Sequence, residues 1–534
     1  FRGLVTVSAA GDTLYLYDSA GVLADVFETG VLRAGLSSGR TESLSARVLY
    51  TSATPGAANT QQTALGYCAA PEFSRAGGYA SEPFALTLSC KTAGASIHYT
   101  TDGSQPTESS PLYTGPLTID GTVTVRAAAF CEGYLESDPA GATYLFEEPH
   151  ELKIICLSID ESDLKYIYGS ENRRDKRERE CFVEIYEPDG KLGASFAAGL
   201  RIGGNSTRAY PQRTFSVYLR GAYGRSKLVY PLFGGLSTTE FTSFTLRNFG
   251  QDASRSLLRD AYGCMAVQGM NIDSAWSSFA VVYLNGEYWG LYELKENQNE
   301  DYFEQKYGVD KDVVQGVRSN TYVYNGNGNN RNIKALFALA ARNTNDPDIY
   351  AQYAAQADED MFIDYLCAQF FFANADVYNQ KYIGSTDGSF KWRPVFYDLD
   401  MLFSSNSPSG NVMGTYFRSE VVPVGVNGNV VDMGLYYGFY KNDAWKEKFI
   451  ARYAEVLNTV LTDERLLSLF DDMAAMVESE IDRHIARWGR PSSRSKWESE
   501  VESLRSCISR RREYAKSNLQ RTFGLSDERM AELF

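Results

Sequence analysis

The sequence predicts a multidomain chain: two small β-sandwich modules at the N-terminus, then an α+β domain whose C-terminal part is helical. Three observations predict it. At 534 residues the chain is too long for one ordinary hydrophobic core. Up to about residue 147, apolar and polar residues alternate in period two between turns rich in Gly, Asp and Pro. From about residue 148 strand-like runs come first and helical spacing then takes over. The resulting boundaries are 1–63, 64–147 and 148–534. Hydrophobic residues make up 44% and aromatics 13%, enough for packed domains and too many for a disordered chain.

The first module carries LVTVSA, TLYLYD and VLADVF, punctuated by Gly and Asp, and ends in the turn-rich TPGAAN. The pieces GDTLYLYDSAG, LSSGR and TPGAAN resemble the end of a lamin-tail domain whose first strands are missing. In the second module FALTLSC, ASIHYTTDGS and VTVRAAAF read as strands, with DGS and Pro106 at turns. The run SIHYTTDGSQPTESSPLYTGPLTI resembles the small sandwich at the C-terminus of chitobiases. Such modules serve as spacers or binding appendages, which makes carbohydrate an implied partner. His98 in that run reads as a strand residue rather than a ligand.

The third region opens with ELKIICLSI, CFVEIYE and TFSVYLR, followed by FTSFTLRN and VVYLNGEYWGLYEL. In the last of these Asn285-Gly286 is a type I′ hairpin signal. The Asn/Gly-rich run at 320–332 reads as a mobile surface loop. Trp445, Phe449, Tyr453 and Leu457 recur every fourth residue, one face of a helix, and AAMVESEIDRHIARWG continues the style. These aromatic stripes are core.

Charge and cysteine usage limit the function. Lys and Arg number 52 against 67 Asp and Glu, a formal net charge of −15. Such a surface repels nucleic acid and anionic lipid, so no nucleic-acid partner is expected and any bound anion must meet a local basic cluster. No apolar run approaches the ~18 residues of a membrane span. The chain opens in mid-pattern at Phe1, without an initiator Met or a signal peptide, as expected of a processed or excised piece. None of the eight cysteines forms a CxxC pair, so a zinc site is not expected. Cys264, Cys367 and Cys507 lie in helical segments and read as buried thiols. A disulfide among Cys68, Cys90, Cys131, Cys156 and Cys181 is compatible with the sequence, with no pairing fixed.

The chemistry concentrates in FFANADVYNQKYIGSTDGSFKWRPVFYDLDMLF, which begins at Phe371. DMFIDYLCAQFFFANA is an apolar helix, and Asp376 follows its C-terminus, the negative end of the dipole, so a compensating positive group is expected there. KYIG and FKWRPVFY read as a hairpin folded about Asp387-Gly388, with paired positions summing to 775. That fold gathers Asp376, Asn379, Asp398 and Asp400 at one end. Carboxylates so placed raise each other's pKa unless a cation joins them. A hard divalent ion, Mg²⁺ or Mn²⁺, suits this oxygen donor set. The alternative is that they are turn and cap residues open to water.

The NADVYN and YDLD pair resembles the active-site segment of the CotH family, the spore-coat protein H-like atypical protein kinases. RIGGNSTRAYPQRTFSVYL, LRNFGQDASRSLLRDAYG, VVYLNGEYWGLYELKENQNEDYFEQKYGVD and the C-terminal helices extend the resemblance over about 148–525. It implies ATP as substrate, a divalent ion and a protein acceptor of unknown identity. It implies Asp376 as the group that takes or orients the acceptor hydroxyl, with Asn379 and Asp398 as metal ligands and Asp400 beside them. Gly203, Gly204, Asn205 and Ser206 would face phosphates with their backbone N–H groups, supported by Arg201, Arg208 and Arg213. Glu296 would pair with a phosphate-binding base. Two departures stand out. The family carries lysines where this chain has Gln212 and Arg213, and Arg does not replace Lys at a close point contact. The loop also has no Walker pattern. The implied location is extracellular or cell-surface, with any signal peptide already removed. Two functions follow: an ATP-dependent Ser/Thr phosphotransferase acting on a secreted or surface protein, or a non-catalytic surface or assembly protein on the same scaffold.

Overall fold

A computed structural model of the chain describes residues 7–8, 10–33, 35–40, 46–59, 63–318, 322–325, 330–418, 421–424 and 429–534. The N-terminal region is built of strands. Thr13–Tyr17 and Leu23–Glu28 form an antiparallel hairpin, and Ser37–Arg40, Arg47–Tyr50 and Thr63–Ala64 form a small sheet. The hairpin leaves Tyr15, Tyr17, Val22 and Leu23 exposed. The second module is a sandwich whose main sheet joins Ser96–Thr100, Val123–Phe130 and Ala140–Leu145, with Gly78–Tyr79 parallel at its edge. Its core is Leu86, Leu88, Ile97, Ile119, Val125 and Tyr144. His98 lies in a strand, its Nδ1 2.8 Å from the Ser110 carbonyl.

Beyond this module seven strands close into a barrel. They are Lys153–Ser158 (β1), Arg179–Tyr186 (β2), Leu192–Ile202 (β3), Phe215–Tyr218 (β4), Ser243–Arg247 (β5), Ser277–Leu284 (β6) and Glu287–Glu296 (β7). The order is β1-β2-β3-β4-β5-β7-β6, antiparallel until β1 closes the ring parallel to β6, with Lys153 opposite Ala280. Alternation along the strands sends Leu157, Val183, Ile185, Leu200, Val217 and Leu246 into one core. Their neighbours Ile154, Tyr186, Val281 and Leu291 join a second, larger core shared with the helices. The hairpin at Asn285-Gly286 forms as expected, with φ of 52° and 81°, both positive as a type I′ turn requires.

The remainder is a second sheet under a helical layer. Val314–Arg318 (β8), Tyr322–Asn325 (β9), Lys381–Ser385 (β10) and Arg393–Phe396 (β11) align in the order β11-β10-β8-β9, with the short strand Asp273–Ser274 outside β11. The 320–332 run is therefore not all loop: 322–325 pair with β8, and 320, 321 and 326–329 lie outside the described residues. The helices used below are Arg259–Ala266 (α1), Glu359–Phe372 (α2), Asp443–Thr459 (α3), Asp463–Glu478 (α4), Ile481–Trp488 (α5) and Arg494–Phe523 (α6), among others. Helix α2 is buried on every side from Met361 to Phe372, as a helix apolar all round must be. Trp445, Phe449 and Tyr453 stack along α3 at centroid distances of 5.3 and 5.7 Å. All eight cysteines are free thiols, with Cys264, Cys367 and Cys507 buried in helices.

The second module and the barrel share a dry joint. Glu184 on β2 is fully buried, and its carboxylate accepts hydrogen bonds from the Thr143 N–H at 3.1 Å and the Thr143 hydroxyl at 2.6 Å. Burial pushes its pKa up, and these bonds with Tyr186 oppose the rise. Leu145 enters the same core as Ile154 and Tyr186.

Candidate functional site

The acidic hairpin forms, with a shifted register. Near its tip the Ser385 N–H reaches the Phe390 carbonyl, positions that sum to 775. Further along, Ile383 faces Arg393 and Tyr382 faces Pro394, which sum to 776. The extra residue arises at Trp392, whose N–H and C=O bond Gln356 and Asp358 instead of β10. The shift brings Asp398 beside Asn379, whose side-chain amide N–H donates to the Asp398 carboxylate. The Tyr397 hydroxyl donates to Asn379 Oδ1 at 2.5 Å.

Asp376, Asn379, Asp398 and Asp400 are brought together as expected. Burial pushes Asp376 up to about 6, and the nearby Asp398 and Asp400 charges push in the same direction. Asp400 is also raised, by burial, against the pull of Arg247. Asp398 holds a left-handed backbone, φ 56°, and Ala373 and Phe403 close by have φ of 44° and 46°. Such strain is characteristic of functional segments. Gly250 meets the cluster where no side chain fits: a Cβ there would lie 1.8 Å from Asp400 Oδ2.

The compensating cation is not at Asp376. It is Arg247 at the end of β5, whose Nη2 reaches Asp398 Oδ1 at 2.9 Å and Asp400 Oδ2 at 3.0 Å. Asp400 also accepts the Gln251 N–H at 2.9 Å. Behind Arg247 lies a buried charge network. Lys295 on β7 is paired with Asp260 on α1, while Glu293 is 3.6 Å from Arg247 and 3.5 Å from Lys295. Burial, then the Asp260 charge, pushes the Glu293 carboxyl up, against the pull of Lys295 and Arg247. Burial would raise Asp260 too, but Arg247 and Lys295 hold it well below the carboxylate range. Sequence reading missed this network. Its only local trace is LYELKE, where Glu293 and Lys295 alternate with leucines as on a solvent face.

A cleft of about 1490 Å³ opens between the barrel and the second sheet. Arg201, Gly203, Gly204, Arg208 and the β7 residue Glu296 line it from the barrel, and Arg318 and Lys381 line it from the second sheet. Gly204 has φ 85°, and the turn continues as the 3-10 segment Ser206–Ala209. Asn205 and Ser206 are exposed on that turn, outside the cleft lining. Tyr397 links cleft to acids: Arg318 and Lys381 sit over its ring at 5.2 and 5.5 Å, and its hydroxyl holds Asn379. Burial, then Arg318, lowers Lys381 to about 7.

Two expected roles are corrected. Arg213 does not line the cleft. It is buried under the Tyr168 ring at 4.9 Å and donates to the carbonyls of Arg208 and Tyr168, so it braces the barrel. Glu296 does line the cleft, but its carboxylate accepts the Trp276 N–H at 3.1 Å instead of pairing with a phosphate-binding base. Burial pushes it up to about 7. The buried Lys and carboxylate that do pair are Lys295 and Asp260.

Among the described residues no three His, Cys, Asp or Glu side chains form a preformed cage. Mg²⁺ commonly uses one or two carboxylates together with substrate phosphates, and the Asp398 and Asn379 oxygens beside a basic cleft match that style. Among the described residues no helix is long and apolar enough to cross a membrane.

Residues 200–515 match the family model described as CotH kinase protein. Residues 75–140 match the chitobiase/beta-hexosaminidase C-terminal domain. No curated protein matches the chain.

Proposed function

The chain belongs to the CotH kinase protein family, and from that premise we propose that it is an ATP-dependent phosphotransferase acting on Ser or Thr of a secreted or cell-surface protein. One observation supports this most: Tyr397 joins the basic wall of the cleft to the acidic hairpin, so cations for phosphates and oxygens for a divalent ion stand side by side. Arg201, Arg208 and the backbone of Gly203 and Gly204 would take the phosphates, with Asn205 and Ser206 left outside the cleft. Asn379 and Asp398 would hold Mg²⁺ or Mn²⁺, with Asp400 fixed behind them by Arg247 and Gln251. When bound, the ion neutralises charge on the phosphates during transfer. Asp376 would accept the proton of the acceptor hydroxyl. A pKa near 6 leaves it ionised at neutral pH yet basic enough to be useful. Glu296, near 7, can offer a donor or an acceptor to a nucleotide in the cleft.

A second reading, a non-catalytic surface or assembly protein, draws on Arg247 already bridging Asp398 and Asp400 and on Arg213 being turned away. Radiolabel transfer from ATP and melting temperature, measured on one preparation of Asp376→Ala, separate the two. Loss of a positioned base lowers the rate by about 10² to 10⁴ with ATP binding nearly kept. A fully active, slightly less stable variant removes Asp376 from the mechanism.

A further inference from the structure

Five cations belong to one edge of the cleft and the loop bonded to it: Arg201 and Arg208 on the cleft lining, and Arg173, Arg174 and Lys176 on the loop, with the Arg174 and Arg201 charges acting on Arg208. The loop after the helix Glu161–Tyr168 is strapped onto the glycine turn by two of them. Arg208 Nη1 donates to the Arg173 carbonyl at 2.6 Å, and Arg201 Nη1 to the Lys176 carbonyl at 3.4 Å. Neighbouring arginines have carboxylate partners: Arg177 with Asp175 at 2.7 Å, Arg179 with Asp163 at 3.3 Å and Arg220 with Glu178 at 2.6 Å. Among the described residues, none of the five has one. Burial lowers the pKa of Arg208, and the Arg201 and Arg174 charges lower it further, so these groups repel one another. On a chain of net charge −15, uncompensated cations held together by backbone bonds call for an anion.

Four of the five divide in two, and Arg173 is half-buried. Arg201 and Arg208 line the cleft and are placed for a nucleotide's phosphates. Arg174 and Lys176 are exposed, outside the cleft lining. We propose that this outer strap docks the acceptor, and that the acceptor segment carries Asp or Glu beside its Ser or Thr. The proposal rests on the phosphotransferase reading for the word acceptor. A short acidic peptide fits the small footprint, whereas an extended polyanion or an anionic membrane would meet the negative remainder of the surface.

The test uses the full chain and a fluorescein-labelled peptide of alternating Asp and Ser, followed by anisotropy at low salt beside the same peptide with Lys for Asp. The acidic peptide should bind and the lysine peptide should not. Arg174→Glu with Lys176→Glu should weaken binding tenfold or more, while ATP with Mn²⁺, followed by calorimetry, binds as before. Arg174→Ala with Lys176→Ala should weaken it severalfold, which covers poor folding of the reversed variant. Unchanged peptide affinity in both variants overturns the proposal. So does joint loss of ATP and peptide binding in the folded alanine variant, which would assign the strap to the nucleotide. Tighter binding of a single-stranded oligonucleotide or of phosphatidylserine vesicles also overturns it. Charge-dependent peptide binding without phosphoryl transfer supports the docking surface and counts against the phosphotransferase reading alone.

Discussion

Arg247 Nη2 stands 2.9 Å from Asp398 Oδ1, joining the last residue of a barrel strand to the acidic hairpin of the second sheet. The same nitrogen serves Asp400 at 3.0 Å and lies 3.6 Å from Asp260. One guanidinium therefore answers carboxylates from two parts of the chain, Asp260 and Asp400 buried and Asp398 partly exposed.

Arg247→Met should be strongly destabilising, because it leaves the Asp400 carboxylate buried without a cation, while Asp260 keeps Lys295. Breaking one side of a buried ion pair costs about 3–5 kcal/mol. Arg247→Lys, with a single point charge, should recover only part of it. Chemical denaturation of the three proteins checks this; a Met variant as stable as the parent would mean that the network contributes nothing.

Asp398→Asn removes a unit of charge from the proposed ion site and weakens its pairing with Arg247. Calorimetry should find Mn²⁺ affinity reduced at least tenfold. Equal affinity in variant and parent would place the ion elsewhere.

ATP with Mn²⁺ should stabilise the chain by about 2.7 kcal/mol at about 100 times the dissociation constant. ATP alone should do much less, since the ion would link phosphates to the acids. A melting curve that ignores both favours the non-catalytic reading.

Asp376 should set a pH dependence. Its pKa is raised from 3.8 to about 6, so between those values the folded chain holds the proton that the unfolded chain has released. Its contribution to stability therefore falls as pH rises through that window and is flat above it. Asp376→Asn should gain on the parent over the same window, and transfer by the parent should rise with pH through about 6. Melting temperatures and initial rates across that range test both; parallel curves for the two proteins would remove the group.

A chain beginning at 148, the proposed start of the kinase-like region, should fold and bind nucleotide but melt below the full chain. Truncation strips Thr143 and Leu145 from β2 and its neighbours. Each kcal/mol lost lowers the melting temperature by roughly 2–4 °C for domains of 150–250 residues, and somewhat less for one as large as this. An unchanged melting temperature would make the joint dispensable, and an insoluble product would make the two parts one unit.

Local features were legible in the sequence. Asn285-Gly286, the α3 stripe and the grouping of Asp376, Asn379, Asp398 and Asp400 depend on near neighbours, and residue types specify them. What escaped depends on distant segments. The hairpin register slips because Trp392 bonds Gln356 and Asp358, a tertiary pairing that overrides the local turn. Barrel closure needs β1 beside β6, more than a hundred residues on, and period-two patterning does not encode partners. Arg247, Asp260, Glu293 and Lys295 come from three stretches and each reads as a surface charge until the fold buries it. Arg213 reads as a phosphate ligand only through the family resemblance; it lies two residues before β4, where tertiary packing sets it against the Tyr168 ring.

The Thr143–Glu184 joint has a mechanical meaning. A fully buried carboxylate held by Thr143 across the seam tolerates little sliding, since a shift would strand it unsatisfied. The module beside the barrel is thus a fixed outrigger and not a tethered float. Its bearing and distance from the cleft are therefore decided by the build of the molecule and not by diffusion at the end of a leash.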